Sequence, residues 1–286
     1  MSKVMSYLVC VALVLSMATQ VFAANEWANT STDGKWSTAA NWDTTDPGPP
    51  IVLTHQVPFT TPDYRGDARI NLTGANACNI DVSMALPANA NCQWLHIGDS
   101  ADGTLNVVNT GSLGTLVWGP GEIMMGEAAG KTGVLNVDGV GSVARGEGLR
   151  IGRNAAGQFA GTATVNLTNG GELYGVWWDN WIGNSGTINI DHVSKMWILG
   201  AAILQIDGLI NLTGTSAADS GVLFVQTNRK AMVDAYIAAG KIRGNGIVGD
   251  VYSYIDENGN TIVKIPEPIT VALLGLGGLF LRRRIA

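Results

Sequence analysis

Apolar and polar residues alternate with period two through the middle of the chain, and one short phrase keeps returning there: apolar, Asn, apolar, then a small or polar turn. The phrase occurs at 105–107, 135–137, 165–167, 188–190 and 210–212. A second phrase close to apolar-x-apolar-Gly precedes the first four, at 95–98, 123–126, 149–152 and 181–183. The central asparagines are 30, 30, 23 and 22 residues apart. Recurrence at such a period is typical of solenoids, so the pattern predicts coils stacked on one another.

Period-two alternation sends Leu105 and Val107 to one face of a strand and Asn106 to the other. If the apolar pair faces inward, the stacked asparagines form an outward column; in the reversed register they would form an amide ladder inside. A coil of about 28–30 residues accommodates roughly three short strands. We therefore predict an all-β parallel β-helix (β-solenoid) of roughly three-strand coils with glycine-bearing turns. The strands of one coil are predicted at Thr104–Asn109, Ser112–Trp118 and Glu122–Met125.

The solenoid repeats are predicted over residues 70–228, between two caps. Residues 24–69 combine a Trp- and Asn-rich start with a Pro-rich connector. Tryptophan at this end would cover the apolar face of the first coil, and a sugar-stacking platform is the alternative. Residues 229–265 predict a closing cap made of one helix and one hairpin around an Asn-Gly turn. Its elements are a helix at Ala231–Ala239 and strands at Val248–Ile255 and Thr261–Ile265.

Composition narrows the class of protein. Glycine at 37 residues against 9 prolines, with 14% charged residues, suits many short strands and tight turns. The formal net charge of −6 argues against a nucleic-acid partner, because phosphate binding needs a basic face. Of the 3 cysteines, Cys78 and Cys92 lie in the repeat region. In an exported protein they would form a disulfide, and two free buried thiols are the alternative.

Residues 1–23 have the three parts of a secretory signal peptide. Lys3 precedes an apolar run at 7–15, and Val21-Phe22-Ala23 provides a small-x-small cleavage site. The run is shorter than the roughly 20 apolar residues that a spanning helix needs. We expect export, with cleavage after Ala23.

Residues 266–286 contain Pro266-Glu267-Pro268, an apolar segment at 269–281 and the triplet Arg282-Arg283-Arg284. An apolar segment closed by arginines is typical of a membrane stop, because arginine stays on the cytoplasmic side. We predict a single short hydrophobic transmembrane helix there. The order of tripeptide, Gly- and Leu-rich segment and basic end resembles the PEP-CTERM sorting tail of exported bacterial proteins, with Ile265 where valine is more usual.

That resemblance covers about 21 residues and implies a set of partners and locations. An exosortase would recognise and remove the tail at the inner membrane of a Gram-negative-type cell. The protein would then reach the cell surface or the exopolysaccharide matrix. The rest of the chain is also similar to the autotransporter-like repeat regions found before such tails.

The loop at 175–181 is the most site-like part of the chain. It holds Trp177, Trp178, Asp179 and Trp181, and aromatic faces with polar side chains at the rim are suited to glycan binding. The alternative is that tryptophans of this loop fill the core of a wide coil while Trp178 lies on the surface.

Other motifs do not predict chemistry. The glycines of 244–249 have dinucleotide-binding spacing, but a strand-like pattern follows where a helix is required. Residues 256–261 resemble the start of a calcium loop, but Thr261 replaces the required glycine. His55, His96 and His192 lack metal-ligand spacing and are predicted to be structural or surface residues. We expect no catalytic residue, no metal and no cofactor.

Together these patterns predict an exported, non-enzymatic structural or adhesion-type protein of the bacterial surface or biofilm matrix. The expected partners are an exosortase and exopolysaccharide or other surface proteins, with transient contact to the inner membrane. The alternative is a polysaccharide-binding or polysaccharide-degrading β-helix.

Overall fold

The computed structural model describes residues 24–28, 35, 42–43, 67–81, 90–92, 94–115, 121–152, 161–191, 193–200 and 204–266. Within these ranges the chain is almost entirely β-structure, with one short α-helix and a 3-10 turn at Gly74–Asn76. The strands form a β-solenoid, which confirms the predicted repeat architecture. The apolar segment predicted to form a terminal helix lies outside the described residues.

In the described residues, three sheets of eight strands enclose the core, and each complete coil contributes one strand to each sheet. Strands are numbered in chain order. The first sheet contains β1 (Ala24–Trp27), β2 (Trp42–Asp43), β3 (Asp67–Ile70), β6 (Trp94–Ile97), β9 (Glu122–Met125), β12 (Gly148–Ile151), β15 (Asn180–Ile182) and β18 (Leu204–Ile206). The second sheet contains β4 (Cys78–Ile80), β7 (Gly103–Val108), β10 (Thr132–Asp138), β13 (Thr162–Thr168), β16 (Gly186–Ile190), β19 (Leu209–Leu212), β21 (Ile242–Gly244) and β22 (Ile247–Val248). The third sheet contains β5 (Ala90–Cys92), β8 (Ser112–Thr115), β11 (Val143–Gly146), β14 (Glu172–Gly175), β17 (Lys195–Ile198), β20 (Val222–Val225), β23 (Tyr252–Ile255) and β24 (Thr261–Lys264).

The repeated Asn phrase lies on the second sheet. Leu105 pairs in parallel register with Leu135, which pairs with Val165, and these apolar side chains are fully buried. The asparagines occupy the opposite, outer face, so the outward alternative is confirmed. Their side chains also form an amide ladder there, in which each Nδ2 donates to the preceding Oδ1 at 2.8–2.9 Å. The ladder runs through Asn79, Asn106, Asn136, Asn166 and Asn189.

The corner between the first and second sheets requires glycine. Gly98 and Gly126 have φ of +73° and +66°, a region that side-chain-bearing residues rarely adopt. A Cβ on Gly98 would lie 2.5 Å from the carbonyl oxygen of Thr132, and one on Gly126 would lie 2.3 Å from that of Thr162. The second sequence phrase therefore ends in glycine because the next coil passes too closely for a side chain.

Both ends of the solenoid carry additional elements. At the amino end β1 pairs in parallel with β3, and the buried Trp27 donates from Nε1 to the Asn76 carbonyl at 2.8 Å. Trp27 thus has the covering role predicted for this end. The other tryptophan side chains of residues 24–69 lie outside the described residues.

At the carboxyl end the helix α1 (Lys230–Ala238) begins one residue before its predicted start. The Tyr236 hydroxyl donates to the Leu204 carbonyl at 3.1 Å, so the helix region covers the edge of the last strand of the first sheet. The predicted hairpin is formed by β23 and β24, which pair antiparallel. Val248 does not belong to it, because β22 folds back antiparallel on β21 instead.

Cys78 and Cys92 are free, fully buried thiols on different sheets. Burial raises the pKa of both thiols, and the nearby Asp67 carboxylate adds to the effect at Cys92. Of the two alternatives for these residues, the structure contains the pair of free thiols, and no disulfide joins them.

Candidate functional site

Trp177 and Trp178 lie at the corner where the chain leaves β14 and enters β15. Their side chains are 64% and 49% exposed. Both backbone N–H groups donate to the Glu147 carbonyl of the preceding coil, at 2.9 and 2.7 Å. The coil below therefore fixes the backbone of this turn while the two large rings face solvent. Two large apolar rings exposed side by side make this corner a candidate interaction site.

The remaining residues of the predicted glycan site lie beside this corner. Asp179 is partly exposed, and the buried Asn180 donates from Nδ2 to the Trp178 carbonyl at 3.1 Å. Period-two alternation turns Asn180 and Ile182 inward, which sends Trp181 to the outer face of the first sheet. The expectation that tryptophans of this loop fill the core was therefore wrong, whereas Trp178 does lie on the surface.

Trp181 belongs to a charged group on the outer face of the first sheet. The Arg150 guanidinium carbon lies 4.7 Å from the centroid of the Trp181 ring, a cation–π distance. Arg150 also donates twice to the Glu122 carboxylate, with both distances 2.7 Å. Glu122 is only 6% exposed, so this bidentate pair is largely removed from water.

A row of aromatic rings on the outer face of the third sheet was not predicted. Tyr174 and Trp197 stack with centroids 5.7 Å apart, and Phe224 follows at 4.7 Å from Trp197. The Tyr174 hydroxyl donates to the Glu172 carboxylate, and burial followed by this hydrogen bond raises the pKa of Tyr174. The Lys195 ammonium lies 5.6 Å from the Trp197 ring centroid.

Sequence alignment of the coils could have found this row. The strands Glu172-Leu173-Tyr174, Lys195-Met196-Trp197 and Val222-Leu223-Phe224 each place an aromatic residue two positions after the first. Parallel pairing in register stacks these positions directly. The prediction missed them because it followed the Asn phrase, which belongs to a different sheet.

A second unpredicted cluster surrounds His96 on the outer face of β6. His96 is 8% exposed, and its Nδ1 lies 2.5 Å from Oε2 of Glu127 in the next coil. Its Nε2 lies 3.8 Å from Oδ2 of Asp67, too far for a hydrogen bond, and has no hydrogen-bond partner among the described residues. Burial lowers the pKa of His96, but the Asp67 and Glu127 carboxylates outweigh it and raise the pKa to about 9.

Asp99 completes this cluster, and three of its members have metal-ligating geometry. One ligand atom from each of His96, Asp99 and Glu127 lies within 4.8 Å of the other two. The Arg69 guanidinium pairs with Oδ2 of Asp99 at 3.2 Å. His96 was predicted to be a structural or surface residue because the histidines lack metal-ligand spacing, and Glu127 is 31 residues away along the chain. Stacking of consecutive coils removes that separation.

The predicted processing residues lie almost entirely outside the described ranges. Pro266 is partly exposed after the buried Ile265. Ala23, Glu267, Pro268 and Arg282 to Arg284 are outside the described residues. In the part of the chain that the structure describes, no helix has the length and apolar character needed to cross a membrane.

The chain matches no protein-family model, no curated protein and no solved structure.

Proposed function

We propose that this protein is an exported structural or adhesion-type component of the bacterial surface or exopolysaccharide matrix, processed by an exosortase. One observation carries the proposal: Pro266-Glu267-Pro268, an apolar segment and Arg282 to Arg284 follow one another in order, behind a solenoid and an export-type start. A solenoid suits this role because its coils contact only their neighbours and present extended outer faces to partners. On this proposal the protein acts by binding and not by catalysis.

Processing in the native host tests the proposal. The wild-type product is expected to begin at Ala24, to end near 266–268 and to lie outside the inner membrane. Glu267→Ala and deletion of residues 282–284 should each leave an uncut product in the inner membrane. Intact mass and cell fractionation measure both properties. Lys264→Ala, just before the tripeptide, is the matched control and should be processed normally. Normal processing of both tail variants would contradict exosortase sorting.

Polysaccharide binding is the second candidate, and the exposed Trp177 and Trp178 favour it. Their turn is held by two hydrogen bonds to the Glu147 carbonyl, so the rings are presented without a large ordering cost. Aromatic faces stack on the apolar faces of sugar rings, and the partly exposed Asp179 supplies a hydrogen-bond acceptor at the rim. The site would recognise a neutral or weakly charged glycan chain.

Glycan-array binding by the full chain separates this candidate from a purely structural role. Trp177→Ala and Trp178→Ala should each weaken binding about tenfold, since an aromatic stacking contact contributes roughly 0.5–1.5 kcal/mol beyond its buried area. Tyr252→Ala is the control, because Tyr252 is an exposed aromatic residue (40%) elsewhere on the solenoid. Glycan binding that survives both tryptophan changes would remove this corner as the site.

A further inference from the structure

The solenoid brings carboxylates of consecutive coils to equivalent positions beside His96. Asp99 and Glu127 each follow the corner glycine of their coil, Gly98 and Gly126, and β6 and β9 pair in register up to those glycines. Like charges at neighbouring positions of a sheet repel each other. This arrangement therefore calls for positive charge between the two carboxylates.

The side chains that surround these carboxylates supply only part of that charge. Arg69 pairs with one oxygen of Asp99, at 3.2 Å, and a carboxylate has a second oxygen to offer. Asp67, only 6% exposed, adds a third carboxylate to the cluster. With a protonated imidazole and Arg69 the three carboxylates leave a net charge of −1, and with one divalent cation in place of the imidazole proton the cluster reaches a net charge of zero. Buried charge is stable in proteins when it is paired or coordinates a metal.

His96 contributes a buried nitrogen to this cluster. The residue is 8% exposed and its Nδ1 faces Glu127, whereas its Nε2 faces Asp67 and has no hydrogen-bond partner among the described residues. The nitrogen without a partner is therefore the one away from Glu127, and a buried nitrogen of this kind calls for an acceptor. In metal sites one imidazole nitrogen binds the ion while the other faces a carboxylate that orients the ring. Asp67 lies on the Nε2 side of the ring at 3.8 Å, so it is the carboxylate that a small approach would bring into this orienting role.

We propose that His96, Asp99 and Glu127 bind a divalent transition-metal ion of the zinc class, with Asp67 orienting the His96 ring. One imidazole nitrogen and two carboxylate oxygens form a ligand set that zinc accepts, with a fourth position for water. The imidazole favours zinc over calcium or magnesium, which prefer all-oxygen ligands. The ion would join two consecutive coils, and this role does not depend on the proposed function.

Zinc titration of the full chain, freed of metal by dialysis against a chelator, tests the proposal by calorimetry. Wild-type protein should bind Zn²⁺ and should not bind Ca²⁺ at the same site. His96→Gln should weaken zinc binding more than Asp67→Asn, which removes only the orienting carboxylate and should cost about 10–100-fold in affinity. Co²⁺ bound to the wild type should show visible absorption that is lost in His96→Gln.

Two further variants keep the test decisive. Asp99→Asn changes the most exposed of the three ligands, so it should fold normally and still lose zinc affinity; circular dichroism confirms the fold. Asp256→Asn alters a carboxylate in the final hairpin that accepts hydrogen bonds from Asn258 and Asn260, and this variant should bind zinc as the wild type does. Equal zinc binding by wild type and His96→Gln, calcium binding in place of zinc, or no zinc binding would each overturn the proposal, leaving the cluster as an ion-paired histidine.

Discussion

The outer faces of the first and second sheets share one backbone architecture but differ in their side chains. On the second sheet, consecutive coils place asparagine at the same position and the amides bond in a continuous ladder. On the first sheet, the aligned position changes from coil to coil: Arg69, His96, Met124, Arg150, Trp181 and Gln205.

This difference separates two uses of a solenoid face. Repetition of one residue makes a face whose interactions are the same in every coil, which stabilises the stack. A change of residue type from coil to coil produces interactions that occur once, such as those of Arg150 with Glu122 and Trp181. Substitutions on the first sheet should therefore have large effects confined to single positions, and substitutions on the second should have smaller effects that depend on the number of ladder bonds lost.

Glu122→Gln should have the largest effect of the substitutions considered in this comparison. The change removes the charge that Arg150 contacts in two hydrogen bonds of 2.7 Å while leaving the guanidinium in place. Breaking a buried ion pair from one side costs roughly 3–5 kcal/mol. The Arg150 side chain retains 16% exposure, so we expect the lower end, about 3 kcal/mol. Urea denaturation measures this loss in the free energy of unfolding.

Lys230→Gln provides the control for a surface ion pair. The pair of Lys230 with Asp234 is short, 2.6 Å, but both side chains are at least 40% exposed. Exposed helix pairs contribute only about 0.3–0.5 kcal/mol. If Glu122→Gln lowers the free energy of unfolding no more than Lys230→Gln does, the pair of Glu122 and Arg150 contributes no more than an exposed ion pair.

Asn136→Ala should have an intermediate effect on the second sheet. The substitution removes two ladder bonds, one to Asn106 and one from Asn166. Each net hydrogen bond contributes roughly 0.5–1.5 kcal/mol, and the half-buried ladder keeps some contact with water, so a loss of about 1–2 kcal/mol is expected. Asn189→Ala removes one ladder bond, to Asn166, and should cost about half as much. Equal losses at the two positions would mean that the ladder bonds are not the source of the effect.

The second-sheet face could be predicted from sequence because its signal is local and repeated. Period-two alternation places Leu105 and Val107 on one face and Asn106 on the other, and the recurrence aligns the coils. The sequence left open which of the two faces is buried, and the structure buries the apolar one. The short helix and the final hairpin were also found, since an Asn-Gly turn and an apolar run act within a few residues.

The first-sheet groups could not be predicted in the same way. His96 contacts Glu127, and Glu122 contacts Arg150, across separations of 31 and 28 residues. The apolar-x-apolar-Gly phrase aligns these coils, but the contacts join positions that are not equivalent in it: Glu127 follows the corner glycine and Glu122 precedes the phrase. The sequence identified Trp177, Trp178 and Trp181 as a cluster but left open whether their rings face the core or solvent. In β15 the side chain of Asn180 faces inward, so Trp181 faces outward.

Asp219 offers the smallest effect and a contrast with the buried Glu122. This partly exposed carboxylate lies in the loop between β19 and β20 and accepts hydrogen bonds from the hydroxyl of Thr215 at 2.6 Å and from the backbone N–H of Ser216 at 2.6 Å. These contacts, with the Thr215 hydroxyl as the largest, lower the pKa of Asp219 to about 2. Because the folded pKa lies below the unfolded value of about 3.9, the stabilisation is present above pH 4 and is lost as the pH falls through about 2.

Amide chemical shifts of Thr215 and Ser216 during acid titration measure this transition. A midpoint near pH 2 is expected for the wild type, and Asp219→Asn should abolish the transition while leaving the amides of the asparagine ladder unchanged. A midpoint near pH 4 would mean that the loop contacts do not hold the carboxylate in its charged form. If only the amides of this loop change, the Asp219 carboxylate stabilises its own loop alone. Glu122, in contrast, pairs with Arg150 of the next coil and so stabilises the contact between coils.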